Sequence, residues 1–310
     1  MCMVRAADIV ARMLLIGIAS VTAIGLLAAY SVVADLANDF RPVLVAAALL
    51  GAGVAYRASP TWVARAASFA MVVNLWLAAL PLLQKMPARA LSNAAGQLRV
   101  VSFNVWTRNT QLERSREWLA ASGADVIVLQ EFNDRARREI VVPLLSRYPH
   151  VHDCRCNDIA ILSRHPFTDA GGQARTTDHP ALSWLTLNIS GHRPLKLIGV
   201  HTTYPKKPEQ HAAHLAMLTA SSLLDHRVGS IALVGDFNAT PWSWRFHRFV
   251  TLRGLKRHGN GTAASWPATP LPILLLDNVV TTPDLHKVSF EIGPEIGSDH
   301  RPIIATLALP

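Results

Sequence analysis

"SIALVGDFNATPW" occupies Ser230–Trp242, and the whole chain can be read outward from it. The apolar run "SIALV", closed by Gly235, is a short buried strand running into a turn. Beyond that turn Asp236 and Asn238 stand two residues apart with Phe237 between them. An acid and an amide at a strand end are ordinary turn formers when met once. Here the pattern recurs. "LRVVSFNVW" (98–106) carries Asn104, "DVIVLQEF" (125–132) carries Glu131 and "PLKLIGVHTTYP" (194–205) carries His201. "ILLLDNVV" (273–280) carries Asp277, and "GSDHRPI" sets Asp299 and His300 just before the strand "PIIATLAL" (302–309). Apolar strands that repeatedly meet carboxylates, amides or imidazoles at their ends imply one shared site at one end of the sheets.

Between these strands lie helical patterns at 112–124, from about 133 to 147, from about 208 to 226, and at 241–250. "DIAILS" (158–163), "ALSWLTLNIS" (181–190) and "KVSFEI" (287–292) add strands, and "GHR" before Pro194 signals a hairpin. Strands outnumber helices, which predicts mixed, largely antiparallel sheets with helices packed outside.

The residues suit phosphate ester hydrolysis. That reaction needs a cation on the non-bridging oxygens, an in-line nucleophile and a donor for the departing oxygen. Glu131, Asp299 and Asn104 are hard oxygen donors, a set suited to Mg²⁺ or Mn²⁺ rather than zinc. Asp236 could orient or deprotonate water, and Asn238, on the same side of an extended segment, could hold the phosphate or that water. His300 could donate to phosphate if Asp277 fixed its ring and kept it charged, and His201 could serve as a second donor or as the acid at the leaving group.

In order, "SFNVW", "VLQEF", "GVHTTYP", "LVGDFNATPW", "LLLDNVV" and "GSDHRPI" resemble the successive motifs of the endonuclease/exonuclease/phosphatase superfamily, the fold of deoxyribonuclease I, AP endonucleases, neutral sphingomyelinases and inositol polyphosphate 5-phosphatases. The resemblance covers about residues 98–310. It implies an α/β four-layer sandwich of two facing mixed sheets flanked by helices. By motif it makes Asn104, Glu131 and Asp299 the metal residues, His201 a phosphate contact, Asp236 and Asn238 the water-activating and phosphate-orienting pair, Asp277 the carboxylate partner, and His300 the terminal catalytic histidine. Trp106 stands where AP endonucleases have a second acid, and His201 where they have Tyr, which argues against an abasic-site function. The 5-phosphatase segment before the later Asp is absent, and Asn278 follows Asp277 where His or Tyr is usual.

The first 90 residues differ in kind. Overall hydrophobic content is 50%, and the long apolar runs are concentrated before Ala95. Met13–Val33 and Ala66–Leu83 are candidate membrane spans, and Pro42–Tyr56 is a shorter third; a cleaved signal peptide is the alternative for the first. The expected organisation is a transmembrane anchor at 1–83, a linker "QKMPARALSNAAGQ" at 84–97 and a catalytic domain at 98–310. Arg5 and Arg12 before the first span, with Arg57 and Arg65 after the second, place the N-terminus inside and the catalytic domain outside the cytoplasm. This plan is similar to a membrane-anchored bacterial branch of the superfamily, some of whose members are associated with glycopeptide resistance and a proposed action on polyprenyl phosphate carriers. The resemblance thus implies an inner-membrane protein acting on a lipid-linked phosphate or pyrophosphate.

The net charge is +9, of which +4 falls before residue 96 and +5 after it. A basic domain suits any polyanion, so a membrane-tethered nuclease remains an alternative reading, and a non-catalytic binding module of the same fold is a third. "PWSWRFHRF" (241–249) mixes aromatics with arginines, which fits a membrane interface, a stacked base, or a helix packing on a sheet. Cys154 and Cys156 form "CRC", either two unrelated small residues or a disulfide closing a tight ring.

Overall fold

The computed structural model describes residues 2–58, 61–83, 96–225, 229–259 and 263–310. Most of the expected linker lies outside the described residues, as does the end of the helix expected to reach His226. The chain forms two compact units, Met1–Lys85 with Thr240–His247, and Met86–Ala239 with Arg248–Pro310.

The first unit is helical, with α1 (Cys2–Leu26), α2 (Val32–Asp39), α3 (Arg41–Ala58) and α4 (Thr61–Leu83). The apolar stretch expected to span from Met13 to Val33 breaks at Leu26. Ser31 then caps a new short helix, its Oγ accepting from Ala34 N at 3.2 Å. Among the described residues no helix is long and apolar enough to cross a membrane, which corrects the expectation of three spans. Polar residues do fall within these helices, Thr22 in α1, Arg41 and Arg57 near the ends of α3, and Asn74 in α4. Asn74 is fully buried, and its Oδ1 accepts from Thr22 Oγ1 and Arg41 Nη1. The outward apolar side chains of this unit remain uncovered; Met13, Ile16, Leu26, Leu50, Phe69 and Trp76 are each more than half exposed.

In the second unit, β1 (Gln97–Asn104), α5 (Leu112–Ala121) and β2 (Val126–Gln130) come first. A helical segment follows, α6 (Asp134–Ala136), a π-turn at Arg137–Val141 and α7 (Val142–Leu144). Next are β3 (His150–His152), β4 (Ala160–Ser163), β5 (Phe167–Gln173), β6 (Ala181–Leu187), β7 (Leu195–His201), α8 (Pro208–Ala220) and β8 (Ser230–Asp236). Helix α9 (Trp244–Leu252), which begins in the first unit, leads to β9 (Lys256–His258), β10 (Asp277–Thr281), β11 (His286–Ile292) and β12 (Ile303–Ala308). Two six-stranded sheets result, ordered β11-β12-β1-β2-β4-β3 and β5-β6-β7-β8-β10-β9. Each is antiparallel except for one parallel pair, β1 with β2 and β7 with β8.

Burial on both faces explains why the central strands read as unbroken apolar runs. Leu98, Val100, Val126 and Val128 pack with Leu185, Leu197, Ala232 and Val234 of the other sheet. The alternate residues Val101, Phe103, Ile127 and Leu129 face Leu119 of α5 and Ile140 of the π-turn. Gly199 permits the sheets to approach, because a Cβ there would stand 2.8 Å from Ile159 Cγ2 and 3.0 Å from Val128 Cγ1.

Cys154 and Cys156 are disulfide-bonded, which settles the open reading of "CRC". The aromatics of "PWSWRFHRF" are mostly internal. Trp242 is 8% exposed, and Phe246 and Phe249 are buried, so three of these four rings pack inside protein rather than facing lipid or a base.

Candidate active site

Sheet register builds the centre of the site. His201 pairs with Asp236 across β7 and β8, and Asp236 pairs with Asp277 across β8 and β10, so three strand ends set an imidazole and two carboxylates in one row. The parallel β1–β2 pair sets Asn104 opposite Gln130, one residue before Glu131. Gly235, at φ +152°, is required just ahead of Asp236, since any Cβ there would collide with the Val200 carbonyl.

Three non-glycine residues just beyond the strand ends have left-handed backbone, Trp106 at φ +61°, Glu131 at φ +50° and Asn238 at φ +47°. Such conformations persist where the surroundings enforce them. The segment from Asp236 to Asn238 is therefore a turn and not the extended stretch expected. Asn238 N donates to Asp236 Oδ1 at 2.8 Å, and its side-chain Nδ2 donates to the Thr202 carbonyl at 3.2 Å.

Asp236 lies at the centre. Its Oδ2 accepts from Asn104 Nδ2 at 3.1 Å and stands 3.6 Å from His300 Nε2 and 3.9 Å from His201 Nε2. Burial pushes its carboxyl above the usual range, the neighbouring Asp277 charge adds to that, and the two imidazoles oppose it. His300 Nδ1 meets Asp277 Oδ2 at 2.8 Å. Burial alone would discharge this ring, but Asp277 and Asp236 outweigh it and push the imidazolium up to about 10. His300 is thus a cation at neutral pH.

Asn104 bridges two acids, its Nδ2 also donating to Glu131 Oε1 at 3.2 Å while its Oδ1 accepts from Trp106 N at 3.0 Å. This orientation offers Glu131 and Asp236 a donor and no ligand oxygen. Thr107 N holds Glu131 Oε2 at 3.0 Å. Asp299 accepts from Trp266 Nε1 at 3.4 Å; burial and the Glu131 charge push its carboxyl up, against the pull of His300. Ser298 ties this loop to the first strand, donating to the Asn104 carbonyl at 2.7 Å and accepting from His300 N at 3.1 Å.

Two further residues complete the site. His201 Nδ1 meets Asp158 Oδ2 at 2.9 Å, and Arg175 Nη2 donates to the same oxygen at 3.2 Å. Burial would raise the Asp158 carboxyl, yet the His201 and Arg175 charges hold it below the ordinary range. Asp158 had a readable signal, an acid opening "DIAILS"; because β4 runs antiparallel to β2, its start lies level with the end of β2. Arg175, on a loop after an edge strand, had none.

The donor chemistry fits a hard divalent cation. Asp277 Oδ1 is buried without a hydrogen-bond partner, and Glu131 and Asp299 repel one another across the site. Asp236, Asp277 and His300 also bring donor atoms within 4.8 Å of one another. There the ring of His300, while protonated on both nitrogens, is no ligand, which leaves the two carboxylates as the donors. Glu131 and Asp299 are a second pair of hard oxygen donors in the same site.

Residues 101–300 match the Endonuclease/Exonuclease/phosphatase family. Among solved structures, the fold is similar to an endonuclease/exonuclease/phosphatase from Beutenbergia cavernae DSM 12333 (TM-score 0.57, 18% identity, covering 69% of this chain and 72% of that one). It is also similar to TDP2 from C. elegans (0.56, 16%, 68% and 75%) and to sphingomyelinase C from Streptomyces griseocarneus (0.52, 16%, 68% and 99%). No curated protein matches the chain.

Proposed function

The chain belongs to the Endonuclease/Exonuclease/phosphatase family, and on that premise we propose that it is a divalent-metal-dependent phosphoesterase acting on a lipid-linked phosphate or pyrophosphate, held at the outer face of the cell membrane through its helical unit. The observation that carries the hydrolytic reading is the registered row His201, Asp236, Asp277, with His300 placed between the two carboxylates. Glu131 and Asp299 would hold Mg²⁺ or Mn²⁺, which would neutralise charge on the phosphoryl oxygens.

The remaining steps belong to the side chains. Asp236, with its carboxyl raised by burial, takes the proton of the attacking water. Asn238 orients the phosphate or that water from the adjacent turn. His300, kept charged by Asp277, donates to a phosphoryl oxygen as negative charge develops. His201, held by Asp158, faces the leaving group as acid.

Membrane placement and lipid linkage draw support from the uncovered apolar side chains of the helical unit, because exposed apolar patches mark membrane or protein contacts. The Cys154–Cys156 disulfide supports a compartment outside the cytoplasm. The basic charge of the hydrolytic region favours a second reading, a tethered nuclease.

The test is phosphate release by the detergent-solubilised full chain with Mg²⁺ or Mn²⁺, comparing a polyprenyl pyrophosphate with linear plasmid DNA and using Asp236→Asn as control. Lipid turnover that the control abolishes, without DNA cleavage, is the expected result. DNA cleavage alone establishes the nuclease. No turnover of either substrate, with ligand binding unchanged in Asp236→Ala and His300→Ala, leaves a binding module.

A further inference from the structure

Thr240–His247 follows directly on the turn that carries Asp236 and Asn238, yet belongs to the helical unit. Within that unit two buried carboxylates of α2 hold it. Asp39 Oδ1 accepts from Thr240 N at 2.9 Å and from Thr240 Oγ1 at 2.8 Å. Asp35 Oδ1 accepts from Trp244 N at 2.6 Å, and its Oδ2 accepts from Ser243 Oγ at 2.9 Å and Arg245 N at 3.1 Å. The first N–H groups of a helix need acceptors from outside it. Ser243 supplies one, accepting from Phe246 N at 3.2 Å, and Asp35 supplies the others from a different helix with a full negative charge at the positive end of α9. Trp242 Nε1 donates to the Ala78 carbonyl at 2.8 Å, and Arg245 Nη1 to the Ala28 carbonyl at 3.0 Å. Asp35 and Asp39 are 5% and 6% exposed.

Buried acids are retained at a cost unless well bonded, and these two spend most of their bonds on one segment of six residues. That segment is separated from Asn238 by Ala239 alone. We propose that Asp35 and Asp39 are positioning residues for the phosphoester hydrolysis, fixing Thr240–Arg245 and through it the turn that carries Asp236 and Asn238. The inference rests on the hydrolytic reading above. The helical unit therefore contributes to turnover as well as to placement.

The experiment compares full-length wild type with Asp35→Ala, Asp39→Ala and Asp39→Asn in detergent, reading kcat, KM and amide hydrogen exchange over 236–247. The expected result is a fall in kcat on the order of ten- to hundredfold for both alanine variants, as small misplacements in a site produce. KM and the cation concentration for half-maximal rate stay near wild type, and exchange accelerates across 236–247. Asp39→Asn, which keeps an oxygen acceptor for Thr240, recovers most of the rate. If an alanine variant fails to fold, Thr240→Val and Ser243→Ala remove the hydroxyl bonds to Asp39 and Asp35 from the other side while keeping the backbone ones, and a smaller fall in kcat of the same kind is expected. Unchanged kcat in a folded variant, or a rise in KM alone, overturns the positioning role. A wild-type chain that hydrolyses no phosphate ester sinks the functional reading instead, while the exchange comparison still decides whether the carboxylates order the turn.

Discussion

His300 and His258 are the two histidines whose charge the fold shifts furthest among the described residues. Its imidazolium, held between Asp277 and Asp236, is pushed up to about 10, against about 6.5 in an unfolded chain. A raised histidine contributes stability that is fully present below pH 6.5 and is lost as pH rises toward 10. Nuclear magnetic resonance of the ring should therefore find it protonated at pH 8. Asp277→Asn removes the nearest charge and should move the midpoint down by roughly one to three pH units. A wild-type ring that titrates near 6.5 would refute the charged-donor role. His258 runs the opposite way. Burial and the surrounding Lys287, Arg257 and Lys256 charges push it down to about 3, so stability should fall as pH drops from about 6.5 toward 3. His258→Gln should flatten that acid limb in denaturant melts at pH 4 and pH 7; equal acid sensitivity in both proteins counts against it. At this scale the sequence was legible where a polar residue interrupts an apolar run, as at Asn104, Glu131, His201 and Asp277. It could not reveal that Asn104 turns its amide N–H toward the acids, because that choice depends on Trp106 N occupying its oxygen.

Strands and helices differ in how far their residues announce them. The central strands, apolar on both faces, were legible, β12 to within a residue at each end, although β10 begins four residues later than its apolar run and β7 ends four residues before its run does. β3, β5 and β9 were not, and all three are sheet edges. An edge strand packs fewer neighbours and tolerates polar side chains and glycine, so "FTDAGGQ" at 167–173 lacks the apolar code by which strands are read. The boundary of α9 slipped for another reason: its start at Trp244 is set by Asp35, more than two hundred residues earlier in the chain. The sheet interface yields a test of packing. Gly199→Ala must displace Ile159 or Val128, and overpacking of a filled core costs about 1–3 kcal/mol. Denaturant melts should show that loss. An unchanged midpoint would mean that the two sheets have slack at this position.

Across the whole chain, the two units differ in what they bury. The two-sheet unit closes two apolar layers around its first sheet, whereas the helical unit buries polar groups such as Asp35, Asn38, Asp39, Arg41 and Asn74 and leaves large apolar side chains outside. That arrangement was hidden in the sequence, where the long apolar runs before Ala95 suggested spans. With Asn38 Oδ1 accepting from Arg41 Nε at 3.1 Å and Asp39 accepting from Thr240, those residues share the interior of the helical unit with Leu15, Ile18 and Ala48. An apolar exterior and a net charge of +9 make different demands on a membrane. Attraction between charges is screened within about 3 Å at 1 M salt, while apolar burial is not weakened by salt. The full chain should therefore float with liposomes of neutral phosphatidylcholine, and remain with them in 1 M NaCl. Flotation only on anionic liposomes, with release by salt, would assign the association to charge. A chain that stays in the dense fraction under both conditions would remove the membrane from the functional reading and leave the hydrolytic site to be tested on soluble phosphate esters.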